Sequence, residues 1–198
     1  MVDLSKLPQR KSFLGRILRF PLDLIPKNAV VPIMQGVLRG KRWIVGASLH
    51  SYWLGSYESH KQNLMAQHMK PGDIVYDIGA NVGFYTIFAA HLVKDTGHVY
   101  AFEPFPKAAT FAQKHVALNG FHNVTFFQMA IANYSGVARF QEAELNAMGR
   151  LTTEGSLEVL VTSIDTLVAE KNLSPATIIK IDVEGAELVV LRGASGKN

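Results

Sequence analysis

A doubly wound α/β fold built on a mostly parallel sheet is predicted for this chain by three observations. Short β-prone runs at residues 74–76, 99–102, 123–129 and 177–182 are interleaved with helical stretches at 84–92 and 106–119, and such succession implies parallel strands joined by right-handed crossovers. The first run, Ile74-Val75-Tyr76, is continuously apolar, as a strand buried on both faces is. The 198 residues are 48% hydrophobic and 18% charged, the profile of one soluble globular domain with enough material for a sizeable core.

Residues 1–58 read as a basic, helical N-terminal cap and residues 59–198 as the main domain. The net charge is +4, yet residues 1–60 hold nine Lys/Arg against three acids, so the remainder is mildly acidic. Phe13, Leu14, Ile17 and Leu18 share one side of a helix within residues 12–25, interrupted by Arg16 and Arg19. That stretch is too short and too charged for a membrane span or a signal-peptide core. Packing on its own domain is expected, with weak membrane-surface contact through residues 10–25 as the alternative. Pro21, Pro26 and Pro32 break the chain into short pieces. In residues 43–58, His50, Tyr52, Trp53, Tyr57 and Glu58 either line a ligand pocket or pack the cap onto the sheet. Residues 59–69 read as a helix that turns Leu64, Met65 and Met69 towards the core.

Residues 70–90, KPGDIVYDIGANVGFYTIFAA, are turn, strand, glycine loop and helix in succession. Asp77 ends the strand, and Gly79, Asn81 and Gly83 follow at alternate positions, giving backbone that turns sharply and approaches a ligand closely. A ligand at this strand end is expected to meet free amide N–H groups. The next strand ends in Glu103-Pro104, about 20 residues on, where a nucleotide-binding β-α-β unit places the acid that accepts ribose hydroxyls. The dinucleotide fingerprint fails, since Asn81 and Phe84 stand where it needs glycine, and no phosphate loop of the G-x-x-x-x-G-K-[ST] type is present. Two acids without a phosphate cradle suit a ligand with a vicinal diol and an ammonium.

Further on, residues 106–119 form a second helix closed by Asn119-Gly120. Residues 136–140 and 158–161 flank a polar stretch and predict an antiparallel hairpin inserted before the last core strand. Ser163 is placed to cap a helix with Asp165 in its first turn. Lys180 and Asp182, two apart on the strand 177–182, point to one face and form a candidate salt bridge. Asp182 and Glu184 sit at the carboxyl edge of the sheet, where open α/β sheets bind ligands.

The segments DIGANVGFYT, FEPFP and IKIDVEGAELVVLRGA resemble the FkbM-type S-adenosylmethionine-dependent methyltransferases over residues 43–194. The resemblance implies a Rossmann-like sheet of the class I methyltransferase type, short of its last strands here, with S-adenosylmethionine as cofactor. It implies cofactor contacts from Asp77, Gly79, Ala80, Asn81, Gly83 and Thr86, ribose contacts from Glu103, and adenine contacts from Pro104, Phe105, Gln128 and Ala130. The reaction implied is in-line attack of an acceptor hydroxyl on the sulfonium methyl, so Asp182, Glu184 and His50 are the candidate general bases. A sugar, polyketide or other small-molecule or glycan acceptor is expected, with no nucleic-acid partner; no metal ligand is assigned, a divalent ion on Asp182 and Glu184 being the open alternative. Zero cysteines remove a disulfide framework and thiolate metal sites and are compatible with a reducing compartment; a cytoplasmic location is expected. A sheet ending at its fourth strand would leave a sticky edge, so a homodimer is a further expectation. A cofactor-binding but inactive fragment and an NAD-dependent oxidoreductase are the competing readings.

Overall fold

The computed structural model describes residues 21–142, 149–151, 156–171, 173–183 and 185–196. They belong to two compact units, residues 1–68 and 69–198, so the helix read at 59–69 falls in the first unit rather than the second.

In the first unit, strands β1 (Val30–Pro32) and β2 (Arg42–Ile44) pair antiparallel with Val31 opposite Trp43. Helices α1 (His50–Leu54) and α2 (Ser59–His68) follow. The expected cap therefore contains a β-ribbon as well as helices. Trp43 is fully buried, Tyr52 stacks on it at 5.5 Å between ring centroids, and Tyr57 stacks on Tyr52 at 3.8 Å. The buried face of α2 also differs from expectation: Leu64 is exposed and Gln62 is buried. Gln62 reaches inward because its amide donates to the Tyr57 carbonyl, which supplies the partner a buried polar group needs. Residues 10–20, most of the segment expected to pack on its own domain or, alternatively, to touch a membrane surface, lie outside the described residues. Among the described residues no helix is long and apolar enough to cross a membrane.

The second unit carries β3 (Ile74–Ile78), α3 (Phe84–Val93), β4 (His98–Phe102), α4 (Pro106–Leu118) and β5 (Val124–Phe127) in order. There follow β6 (Ala130–Ile131), β7 (Gly136–Glu142), β8 (Gly149–Leu151) and β9 (Leu157–Thr162). Helix α5 (Ile164–Lys171), β10 (Ile178–Ile181) and α6 (Glu187–Arg192) complete it. The central sheet runs β10-β3-β4-β5, all parallel, which is the Rossmann-like arrangement expected. Its strands are β-branched and aromatic, and Tyr76, Ile78 and Phe102 form a buried cluster with Leu167 and Val190. Helix α3 is apolar around its circumference and buried from Phe84 to Ala90, as such a helix must be.

The predicted hairpin is present: β7 pairs antiparallel with β9, Ala138 facing Val159, and β8 extends it. β6 adds to β9 in parallel, so this second sheet is ordered β6-β9-β7-β8. Ser163 caps α5 by accepting the Thr166 N–H at 3.0 Å. The chain runs from β3 outward through β4 and β5 and later adds β10 on the other side of β3. That reversal puts a crevice at the carboxyl ends of β3 and β10, the position where open α/β sheets bind ligands.

Candidate functional site

Asp77 on β3 stands in register with Lys180 on β10, so both side chains leave the sheet on one face, side by side. Asp77 is 1% exposed. Its Oδ2 accepts the hydroxyl of fully buried Thr86 at 2.6 Å. Lys180 Nζ lies 2.9 Å from Oδ1, an ion pair whose alignment falls short of a hydrogen bond. The same ammonium donates to the Gly79 carbonyl at 2.9 Å, lies 3.6 Å from Asp182 Oδ2 and stands 5.4 Å from the Tyr85 ring centroid. Burial pulls the Lys180 ammonium towards deprotonation, but the charges of Asp77 and Asp182 more than offset it and hold its pKa above the usual value. The salt bridge read between Lys180 and Asp182 is thus the longer of two, and Asp77 is the principal partner.

The loop after β3 is closed tightly. Gly79 has φ +75°, and a Cβ there would sit 2.1 Å from the Asp182 carbonyl oxygen. Gly83, φ +84°, lies against α4, where a Cβ would come within 2.7 Å of Ala112 Cα. Asn81 takes φ +50°, a region asparagine tolerates. The expectation of free amides at this strand end is corrected. Gly79 and Ala80 both donate to the Phe102 carbonyl at 3.0 Å, Gly83 donates to Ala80 at 2.9 Å, and Asn81 donates to Glu103 Oε2 at 2.7 Å. Buried N–H groups need acceptors, and the end of β4, the Glu103 carboxylate and the loop's own Ala80 carbonyl supply them. His115 of α4 secures the far side of the loop: its Nδ1 donates to the Val82 carbonyl at 2.8 Å. Burial pushes this imidazole down to about 4, so it is neutral near pH 7.

Glu103, at the end of β4, is 6% exposed. Beside the Asn81 bond, its Oε1 accepts the Phe105 N–H at 2.9 Å. Burial raises its pKa to about 7, against the pull of those two amides and of Lys180. Each carboxylate oxygen is left with a further lone pair. Phe105 is buried in a cluster with Ala108, Ala130 and Val161, while Pro104 is half-buried. Ala130 lies in β6, and Gln128 is exposed just after β5.

Asp182, 44% exposed at the side chain, directly follows β10. Glu184 lies outside the described residues. His50 belongs to the first unit, on α1, where its Nε2 lies 3.1 Å from Asp23 Oδ1 and its ring meets Trp53 edge-on at 5.6 Å. The structure brings Asp77, Gly79, Thr86, Glu103 and Asp182 together with two residues that sequence reasoning does not assign to the site, Lys180 as a partner of Asp77 and His115. The one signal for Lys180 is its place on the strand 177–182; its pairing with Asp77 follows only once β10 is set beside β3. His115 leaves no such signal in a helix of ordinary pattern. Among the described residues no cluster of three or more His, Cys, Asp or Glu could hold a metal ion.

A family model for the Methyltransferase FkbM domain matches residues 77–198. The Hexuronic acid methyltransferase AglP of Haloferax volcanii is 29% identical over 133 residues, covering 66% of this chain and 53% of that protein. The 31-O-demethyl-FK506 methyltransferase FkbM of Streptomyces tacrolimicus is 27% identical over 158 residues, covering 63% of this chain and 60% of that protein. This chain therefore spans between about half and three fifths of the length of these curated relatives. A solved SAM-dependent methyltransferase from Aquifex aeolicus overlays 37% of this chain and 39% of its own at 25% identity and a TM-score of 0.34, an overlap too small to carry an argument.

S-adenosylmethionine is the cofactor that goes with the matched domain, and the residues fit it. Glu103 offers two carboxylate oxygens to a vicinal diol, and Asn81 Oδ1 is a buried acceptor without a partner among the described residues. A pyrophosphate would meet no unspent amide at Gly79, Ala80, Asn81 or Gly83, which weighs against a dinucleotide.

Proposed function

Because this chain belongs to the FkbM methyltransferase family, we propose that it transfers a methyl group from S-adenosylmethionine to a hydroxyl oxygen of a sugar, polyketide or other small-molecule or glycan acceptor. The observation that carries the reading is the buried Glu103 carboxylate, tied to the glycine loop through Asn81 N–H at the carboxyl end of β4. The oxygen preference and acceptor class draw support from the two curated relatives, one named for a hexuronic acid and the other for a 31-O-demethyl compound.

When bound, the cofactor supplies an electrophilic methyl carbon. In this reading Glu103 orients the ribose and the loop 79–83 sets the depth of the methionine end, so the protein's contribution is chiefly positioning. Asp182, at the carboxyl end of β10 and partly exposed, takes the proton that the acceptor hydroxyl releases. Glu184 and His50 are carried forward as the other candidate bases, together with a cytoplasmic setting and no nucleic-acid partner.

Calorimetric titration of the chain with S-adenosylhomocysteine, with NAD in parallel, tests the cofactor half without an acceptor. Micromolar binding of the first alone is expected, and NAD binding in its place would overturn the reading. For the chemical half, Asp182→Asn is expected to hold S-adenosylhomocysteine affinity within about twofold. Methyl transfer to uronic acid or polyketide hydroxyl acceptors should fall by about a hundredfold or more. Undiminished transfer would move the base to Glu184 or His50.

A further inference from the structure

Gly79 and Lys180 are 101 residues apart in sequence, yet one ammonium joins the strand end, the loop and the neighbouring strand. Lys180 is 8% exposed, and its Nζ meets Asp77 Oδ1 and the Gly79 carbonyl at 2.9 Å each. Thr86 fills the other oxygen of Asp77. Both oxygens of this acid are therefore engaged from within the protein, although an acid at this point invites the ammonium of an amino-acid ligand. Four residues further along the chain, Asn81 Oδ1 is buried with no hydrogen-bond partner among the described residues.

Resting on the cofactor reading above, we propose that Lys180 is the positioning residue for the amino-acid end of the cofactor. It neutralises Asp77, fixes the Gly79 carbonyl and so shapes the loop, leaving Asn81 rather than Asp77 to accept the cofactor's ammonium. A buried acid already ion-paired with lysine at 2.9 Å gains little from a second cation, since its charge is compensated. A buried amide oxygen without a partner gains a bond and loses a desolvation penalty. The loop conformation that presents this oxygen depends on Gly79 at positive φ beneath the Asp182 carbonyl, and Lys180 bonds that glycine directly.

The two assignments predict opposite signs. If Asp77 held the ligand ammonium, removing Lys180 would release it and favour ligands that carry the amino-acid group. If Lys180 positions the loop, its removal penalises those ligands and spares ligands that end at the thioether. Calorimetry with S-adenosylhomocysteine and with methylthioadenosine, which lacks the amino-acid portion, reads this as a ratio of affinities. For Lys180→Met the ratio is expected to fall by about tenfold, the scale of one charge-assisted hydrogen bond. Methylthioadenosine affinity should stay within about twofold.

The double variant Asp77→Asn with Lys180→Met removes both charges and leaves no uncompensated buried ion. It lowers the ratio on either assignment, so where the single variant does not fold the decision passes to Asn81→Gly, which keeps the positive φ and removes the buried amide oxygen: the ratio is expected to fall by about tenfold. A ratio that is unchanged or higher overturns the proposal. Amide hydrogen exchange of residues 79–83 in the ligand-free protein is the separate readout: faster exchange in the double variant than in the wild type is expected, and equal exchange overturns the positioning role. A wild-type chain that binds neither ligand overturns the cofactor reading itself, while the exchange result still decides what Lys180 does to the loop.

Discussion

At the scale of single residues, Glu103 is under two opposing demands. Burial favours its protonated form, whereas two backbone amides, and a ribose diol when present, favour the carboxylate. With a free-state pKa raised to about 7, S-adenosylhomocysteine affinity should rise with pH until this group is ionised and then level off. Binding at about pH 6 is expected to be roughly tenfold weaker than at about pH 8, because each unit below the pKa removes about 90% of the competent form. Titration at the two pH values, repeated on Glu103→Gln, checks this: the variant should lose the pH dependence. Glu103→Ala should weaken binding by about 1–3 kcal/mol, the worth of hydrogen bonds to a charged group. Unchanged affinity in folded Glu103→Ala would remove the ribose assignment. This residue is legible from its spacing after the glycine loop. The engagement of Asp77 by Lys180 is not, because the sequence shows two acids near a strand end but not which cation reaches them.

Among the elements, the turn from β3 to α3 is the one whose geometry has least freedom. Gly83 needs both a positive φ and contact with the backbone of Ala112, whereas at Gly120, φ +66°, a Cβ would meet no described atom within 4 Å. Alanine at Gly83 must therefore overcome strain and a clash with α4, and at Gly120 strain alone. Urea unfolding should show Gly83→Ala destabilised by more than about 2 kcal/mol and Gly120→Ala by about 1 kcal/mol. Equal losses would mean that packing of the loop on α4 contributes nothing. Local sequence announced the strand, turn and helix here, and it announced the hairpin of β7 and β9. It misread the buried face of α2, since a glutamine that bonds the Tyr57 carbonyl can replace a leucine at the inward position.

For the molecule as a whole, two buried titrating groups tilt stability in opposite directions with pH. His115, whose pKa falls from 6.5 to about 4 on folding, favours the fold above pH 6.5, and that stability is lost as the pH falls towards 4. Glu103 rises from 4.5 to about 7, so its contribution is full below 4.5 and is lost as the pH rises through 7. Between pH 4.5 and 6.5 the unfolded chain binds a proton at His115 that the folded one does not, and the folded chain binds one at Glu103 that the unfolded one does not. The two slopes cancel there, and these groups together leave stability flat. Glu103→Gln removes one slope, so its urea midpoint should climb from pH 4.5 to 6.5 by more than that of the wild type; parallel profiles would sink this assignment. The core strands β3, β4, β5 and β10 with the helices α3 and α4, the glycine loop, the acid after β4 and the family itself were determined by the sequence, because each rests on local periodicity or on residues close together in the chain; the short strands β6 and β8 were not. The tertiary structure decided that the loop spends its amides on β4, that Lys180 reaches Asp77 and that His115 holds Val82. Those partners are 22 to 103 residues apart, and a buried polar group selects its partner by position in space.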